Sequence, residues 1–234
     1  MKYSRAFLCL ALLAGSLPAF AALESAQPAN GCKLPAFPAT LRADGVTKGH
    51  VVIAVSIDAE GKVQDSLVLA YTQPQLARAS LEALREWIFI PARLDGTAVP
   101  VQTELRFEFT REGVCFSTNS FNYISGRLSD DRGDAYRPSR MDELDHLPVK
   151  IAGNAPKYAP EAAKDGVHGR VQVCFYIDEN GDVRLPAVVA SGEHPYLAEQ
   201  AVAAVRTWKF EAARMHGTPV LVAAAQDFDF GDAR

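Results

Sequence analysis

A chain of 234 residues suits one large domain or two small ones, and 48% hydrophobic with 22% charged residues is an ordinary globular balance that excludes wholesale disorder. The formal charge is −4, and no dense run of Lys or Arg occurs, which argues against a nucleic-acid face.

The first 22 residues read as an export signal rather than as part of the fold. Lys2 and Arg5 form a short positive region, Ala6 to Leu17 is an apolar run, and Ala19-Phe20-Ala21 is a small-x-small cleavage site, with cutting expected after Ala21. That run is too short for a membrane span of roughly 20 residues. Cys9 lies in no lipobox. Cleavage removes Lys2 and Arg5 from the 24 basic residues and none of the 28 acidic ones, so the remainder carries −6. Export allows disulfides, which persist in oxidising compartments, and the remainder keeps Cys32, Cys115 and Cys174. Residues 23–33 read as coil.

A first unit follows, assigned to residues 23–110. Val51, Ile53, Val55 and Ile57 alternate with Val52, Ala54 and Ser56, the period of a strand. Asp58 and Gly61 mark a tight turn, and a second strand runs from about Lys62 to Ala70. Pro74 suits the first turn of a helix. Leu76, Ser80, Leu81, Leu84, Trp87 and Ile88 form its apolar stripe, and Pro91 stops it. After a turn at Gly96 comes a third strand, with Val101, Leu105, Phe107 and Phe109 on one side and Gln102, Glu104, Arg106 and Glu108 on the other.

Residues 111–154 are charged and proline-broken, and read as a surface linker with one short helix near Met141–His146. Asp130, Asp131 and Asp134 read there as solvated charge, since the spacing of a calcium loop is absent.

A second unit, 155–234, repeats the first. Val171, Val173, Phe175 and Ile177 alternate with Gln172, Cys174 and Tyr176, and "DENG" replaces "DAEG". Pro195 opens a helix whose stripe is Leu197, Ala201, Val202, Val205 and Trp208. Gly217 turns the chain, and Phe228 and Phe230 end the last strand. Gly49 corresponds to Gly169, Gly61 to Gly181, and Trp87 to Trp208. The fold class expected is α+β: two tandem ββαβ modules, each a three-stranded antiparallel sheet with one helix on one face. Strand directions give the order second-first-third, which puts Pro186 on an edge strand, where a proline belongs.

Two expectations follow from that order. Cys32 and Cys115 fall at the same end of the first sheet, so a Cys32–Cys115 disulfide is expected, worth about 4–5 kcal/mol in the chain-entropy model. The rival pairing is Cys115–Cys174 with Cys32 free. The third strands become edges that can accept an extended peptide through Val101, Thr103, Leu105 and Phe107, and through Val222, Ala224, Gln226 and Phe228.

No chemistry of another kind stands out. The histidines His50, His146, His168, His194 and His216 show no metal-ligand spacing on a helix, and neither a Gly-x-Ser-x-Gly elbow nor a Gly-rich phosphate loop occurs. No enzyme, metal or other cofactor is expected.

The order of motifs resembles the TonB family C-terminal domain, twice over. Copy one carries Phe37-Pro38, the strand from Gly49, the turn at Gly61, and "WIFIPA" at Trp87–Ala92, with Pro91 inside it. Copy two carries Tyr158 with Pro160, the strand from Gly169, the turn at Gly181, and "WKFEAA" at Trp208–Ala213. The resemblance implies a periplasmic protein that binds envelope proteins or peptides by strand addition, an outer-membrane transporter being one candidate partner. It also leaves open an energy transducer whose N-terminal anchor stays uncleaved, and a structural adaptor that binds cell wall or self-associates. Two departures bear on this: the Pro-rich spacer of transducing members is missing, and Ala212 stands where the family has proline.

Overall fold

The computed structural model describes residues 23–120, 133–191 and 194–231. The export-signal region 1–22 lies outside them, as do Asp130 and Asp131. In chain order, the first module contains α1 (Ala39–Ala43), β1 (Lys48–Ile57), β2 (Val63–Tyr71), α2 (Pro74–Leu84), β3 (Val101–Thr110) and β4 (Val114–Ser120). After a short 3-10 turn at Met141–Glu143, the second contains α3 (Pro160–Lys164), β5 (Gly169–Ile177), β6 (Val183–Ser191), α4 (Pro195–Val205) and β7 (Val222–Phe230).

Both sheets are antiparallel and have the order expected from strand direction. The second is β6-β5-β7, with β6 and its Pro186 on an edge. The first is β2-β1-β3-β4, so a fourth strand is added beyond the three expected. Gly113 lets the chain reverse after β3, with the Thr110 N–H bonding Gly113 O at 2.9 Å, and β4 runs back along β3. Part of the stretch read as linker is therefore sheet.

Each helix begins with proline in its first turn, where the missing N–H costs nothing. Each is shorter than its apolar stripe suggested. α2 ends at Leu84, and Trp87 enters the core from the turn beyond it while Ile88 is exposed. Trp87 and Trp208 cap the two helix-side cores, and their indole N–H groups donate to Lys33 O at 2.9 Å and Asn154 O at 2.7 Å. Residues 23–33 are not coil: Leu23–Glu24 pairs with Ala92–Leu94, and Gln27–Pro28 pairs with Phe89–Ile90.

The turn after β1 shows why Asp and Gly recur. Asp58 Oδ1 accepts the N–H groups of Glu60 (3.0 Å) and Lys62 (2.8 Å), and Asp178 Oδ1 those of Asn180 and Asp182 (both 3.0 Å). Gly61 and Gly181 then adopt φ of +82° and +84°, and a Cβ there would stand 1.9 Å from Phe89 O or 2.0 Å from Phe210 O.

The sheets also bury the faces turned away from their helices, against each other. Val52, Ala54, Leu67, Leu69 and Ala70 of the first module meet Tyr176, Leu185 and Leu221 of the second in one buried cluster. Polar contacts rim it. Arg184 forks onto the Asp65 carboxylate and donates to Ser66 O at 3.1 Å, and Gln102 Nε2 donates to Pro186 O at 3.3 Å. The segment from Gly133 stitches both modules. Tyr136 stacks on Tyr71 with ring centroids 5.0 Å apart and donates its hydroxyl to Glu179, while Ser139 N–H bonds Leu221 O at 2.7 Å. Asp134, read as solvated, is buried with its carboxylate 2.6 Å from His50 Nε2.

Candidate partner-binding edge

The third strands of the two modules occupy equivalent places and have different flanks. Gly49 pairs with Phe109 and Gly169 with Phe230, which makes Phe107 the counterpart of Phe228 and Leu105 that of Gln226. Val101, Thr103, Leu105 and Phe107 were expected on an open edge, and for Thr103, Leu105 and Phe107 the structure contradicts this, while Val101 lies past the end of the β4 ladder. β3 is an inner strand, since β4 pairs with it from Thr103↔Ser120 to Phe109↔Val114. Thr103 Oγ1 donates to Asn119 O at 2.8 Å, and Leu105 and Phe107 are fully buried.

β7 carries the other four expected residues. It pairs with β5 over its whole length, and among the described residues no further strand flanks it. A parallel bridge from Ser139 touches only its first residue, Val222. Val222 is buried, Ala224 and Phe228 are half-buried, and Gln226 is exposed. Unpaired backbone donors and acceptors on a strand edge are what an added strand requires; on β7 the Asp227 carbonyl already accepts from Gln226 Nε2 at 2.8 Å, a side-chain bond that an incoming strand can displace.

The chemistry along this edge differs by face. On the helix side, Phe228 lies 5.7 Å from Trp208 and 6.4 Å from Phe230, ring centre to ring centre. Lys150 Nζ stands 4.3 Å over the Trp208 ring, a cation–π contact. On the opposite side are two exposed carboxylates, Asp227 and Asp229. Gln172 Nε2 donates to Asp227 at 2.9 Å and Arg170 Nε to Asp229 at 2.8 Å. The Asp229 carboxylate beside Arg170 raises the guanidinium pKa above its ordinary value. Cys174, half-buried in β5, has its thiol pushed up by burial and then by Asp227.

The family-motif residues lie behind the edges rather than on them. Gly49 and Gly169 sit in β1 and β5 beside the third strands, Gly61 and Gly181 in the turns, and Pro91 between Phe89–Ile90 and Ala92–Leu94. Trp87 and Trp208 alone reach toward the edge.

The expected Cys32–Cys115 bridge is absent: Cys32, Cys115 and Cys174 are all free thiols, so the rival Cys115–Cys174 pairing is absent as well. The reason is β4. The chain doubles back along β3, and strand alternation sets Phe116 on the helix side, 5.1 Å from Trp87, which turns Cys115 to the other face opposite Glu108. Cys32 packs on the helix-side core. The two thiols thus lie on opposite faces of the sheet.

Sequence reasoning missed β4, the Lys150–Trp208 contact and the face-to-face packing of the modules. The alternation Val114, Phe116, Thr118 was available as a signal for β4. Among the described residues, no three His, Cys, Asp or Glu side chains gather as metal ligands, and no helix is long and apolar enough to cross a membrane.

Comparison with known proteins finds the same duplication. Residues 33–110 and 154–231 each match the family described as Gram-negative bacterial TonB protein C-terminal. Protein TonB of Xanthomonas campestris pv. campestris strain B100 is 39% identical over 64 residues, which is 27% of this chain and 29% of that protein. A second strain of the pathovar gives the same figures. The match therefore spans under a third of those relatives' length. A solution structure of the Pseudomonas aeruginosa TonB C-terminal domain covers 41% of this chain and 95% of that one, at 24% identity and a TM-score of 0.35.

Proposed function

The chain belongs to the Gram-negative TonB C-terminal family, a family of binding proteins and energy transducers rather than enzymes, and on that premise we propose that it is a periplasmic protein-binding protein. It takes an extended segment of an envelope protein by strand addition along β7, with main-chain bonds giving affinity and alternate side chains giving selection. An outer-membrane transporter is the partner class the family resemblance favours.

The observation that carries this reading is the contrast between the third strands. β3 is covered by the chain's own β4, whereas β7 is paired on one side only. The first module then acts as the rigid half of the molecule and the second as the receptor. The N-terminal pattern ending at Ala21 supports export with cleavage. Similarity to proteins called TonB favours a second reading, an anchored energy transducer. The first residue of the protein isolated from the envelope separates the two: Ala22 excludes the anchor, and Met1 excludes cleavage.

A photocrosslinking amino acid in place of Ala225, in cells, tests the edge itself. Adducts with an outer-membrane protein are expected from this position and not from Glu82, exposed on α2. Equal adducts from both positions, or none from Ala225, contradict the proposal.

A further inference from the structure

The chain holds one strand addition inside itself, and its second module presents the same seat without the strand. Register and ring geometry make the two seats comparable. Trp87 and Phe107 lie 5.6 Å apart at 67°, and Trp208 and Phe228 lie 5.7 Å apart at 57°. Trp87–Phe89 and Trp208–Phe210 are 6.0 and 6.2 Å apart. In the first module β4 completes the group. It runs antiparallel, sets Phe116 opposite Phe107, and brings that ring 5.1 Å from Trp87 and 6.2 Å from Phe107. Phe107 is then fully buried, whereas Phe228 stays half-exposed beside Trp208. The neighbouring positions are also set out by β4: Val114 lies opposite Phe109, and Thr118 opposite Leu105.

The other face departs from the template. β4 places neutral Cys115 and Ser117 opposite Glu108 and Arg106, an ion pair that satisfies itself at 2.5 Å. The equivalents in β7 are Asp229, paired with Arg170 at 2.8 Å, and Asp227, which accepts from Gln172 Nε2 at 2.9 Å: two exposed acids and one cation on one face. Opposite charges directly across an antiparallel pair are favourable, and like charges are not.

We propose that β7 selects an antiparallel segment of an envelope protein with a defined pattern. An aromatic residue lies opposite Phe228, an apolar one opposite Phe230, a small polar one opposite Gln226, and Lys or Arg on the alternate positions facing Asp227 and Asp229. This rests on the strand-addition reading above and adds the chemistry of the occupant. The aromatic residue takes the place against Phe228 that Phe116 takes against Phe107, and it closes Phe228 from water; Trp208 is already buried, with Lys150 Nζ over its ring.

The test uses the full chain, isotope-labelled, and three synthetic peptides. The first carries the sequence of residues 113–120 with Ser in place of Cys115. The second adds Phe116→Ala. The third keeps the Phe and carries Cys115→Lys and Ser117→Lys. The first should shift amides along Val222–Phe230. The second should bind about tenfold more weakly or worse, since an aromatic contact of this kind adds to the area it buries. The third should bind most tightly at low salt and approach the first as salt rises. If the first two bind β7 equally, the aromatic rule is overturned and strand addition stands. If the third binds no better than the first at low salt, the basic requirement is overturned. If no peptide shifts β7, strand addition itself fails. Peptide that displaces β4 and shifts Val101–Thr110 instead, or a dimer formed by exchange of residues 114–120 between copies, also overturns the proposal.

Discussion

At the scale of single residues, Gly61 and Gly181 carry the hairpins. Each combines a left-handed φ with a backbone carbonyl standing where a Cβ would go. Gly61→Ala or Gly181→Ala should therefore cost about 2–4 kcal/mol, read as a fall in denaturation midpoint, whereas Gly96→Ala, with open space around it, should cost less. Glu143 gives the clearest pH dependence. Hydrogen bonds from Arg137 and then from the Arg140 backbone N–H hold its carboxyl at about 2, well below the ordinary 4.5. A lowered folded pKa means the stabilisation is fully present above the unfolded value and is lost as pH falls from about 4.5 toward 2. Asp145, lowered by the N–H groups of Gly217 and His216, acts in the same direction. A titration of stability should show this acid loss, and Glu143→Gln should flatten part of it. These turns were readable because Asp and Gly have local physical reasons to be there. The burial of Asp134 on His50 was not, because it depends on where β1 and the linker meet.

At the scale of elements, strand order and helix placement follow from direction and period, and they stand in the structure as expected. The end of α2 does not. The stripe continued to Ile88, but Phe89–Ile90 pairs with the N-terminal segment, and that pairing requires the helix to stop at Leu84. β4 was hidden for a different reason. Seven residues of which the last four are small and polar give weak alternation, and their reason to be a strand is the edge of β3, a partner more apolar than they are. Phe116 is the residue that holds β4 down. Phe116→Ala should cost about 1–2 kcal/mol, seen chiefly as faster amide exchange in β4 and along the flank of β3 rather than as global unfolding.

At the scale of the whole molecule, the back faces of the sheets explain features that one module alone leaves unexplained. β1 is apolar on both sides, from Val51 to Val55, and such a strand is covered on both faces. Tyr176, Leu67 and Leu69 gave the same hint. The hint did not specify the partner, because any second apolar surface would satisfy it. Burial drives the Tyr136 hydroxyl pKa far upward, helped by its bond to Glu179, so the Tyr136 bridge stays neutral and intact across ordinary pH. Arg184→Ala should remove the fork on Asp65 and weaken the packing of the modules by about 1–2 kcal/mol, visible as separation of one unfolding transition into two. The molecule that results is one rigid pair with a single flank of β7 turned outward. Native-state hydrogen exchange on the protein without partner tests that most directly. Alternate amides of Val222–Phe230 should exchange fast while those along Thr103–Thr110, where β4 pairs, are protected throughout; equal protection along both strands would contradict the account.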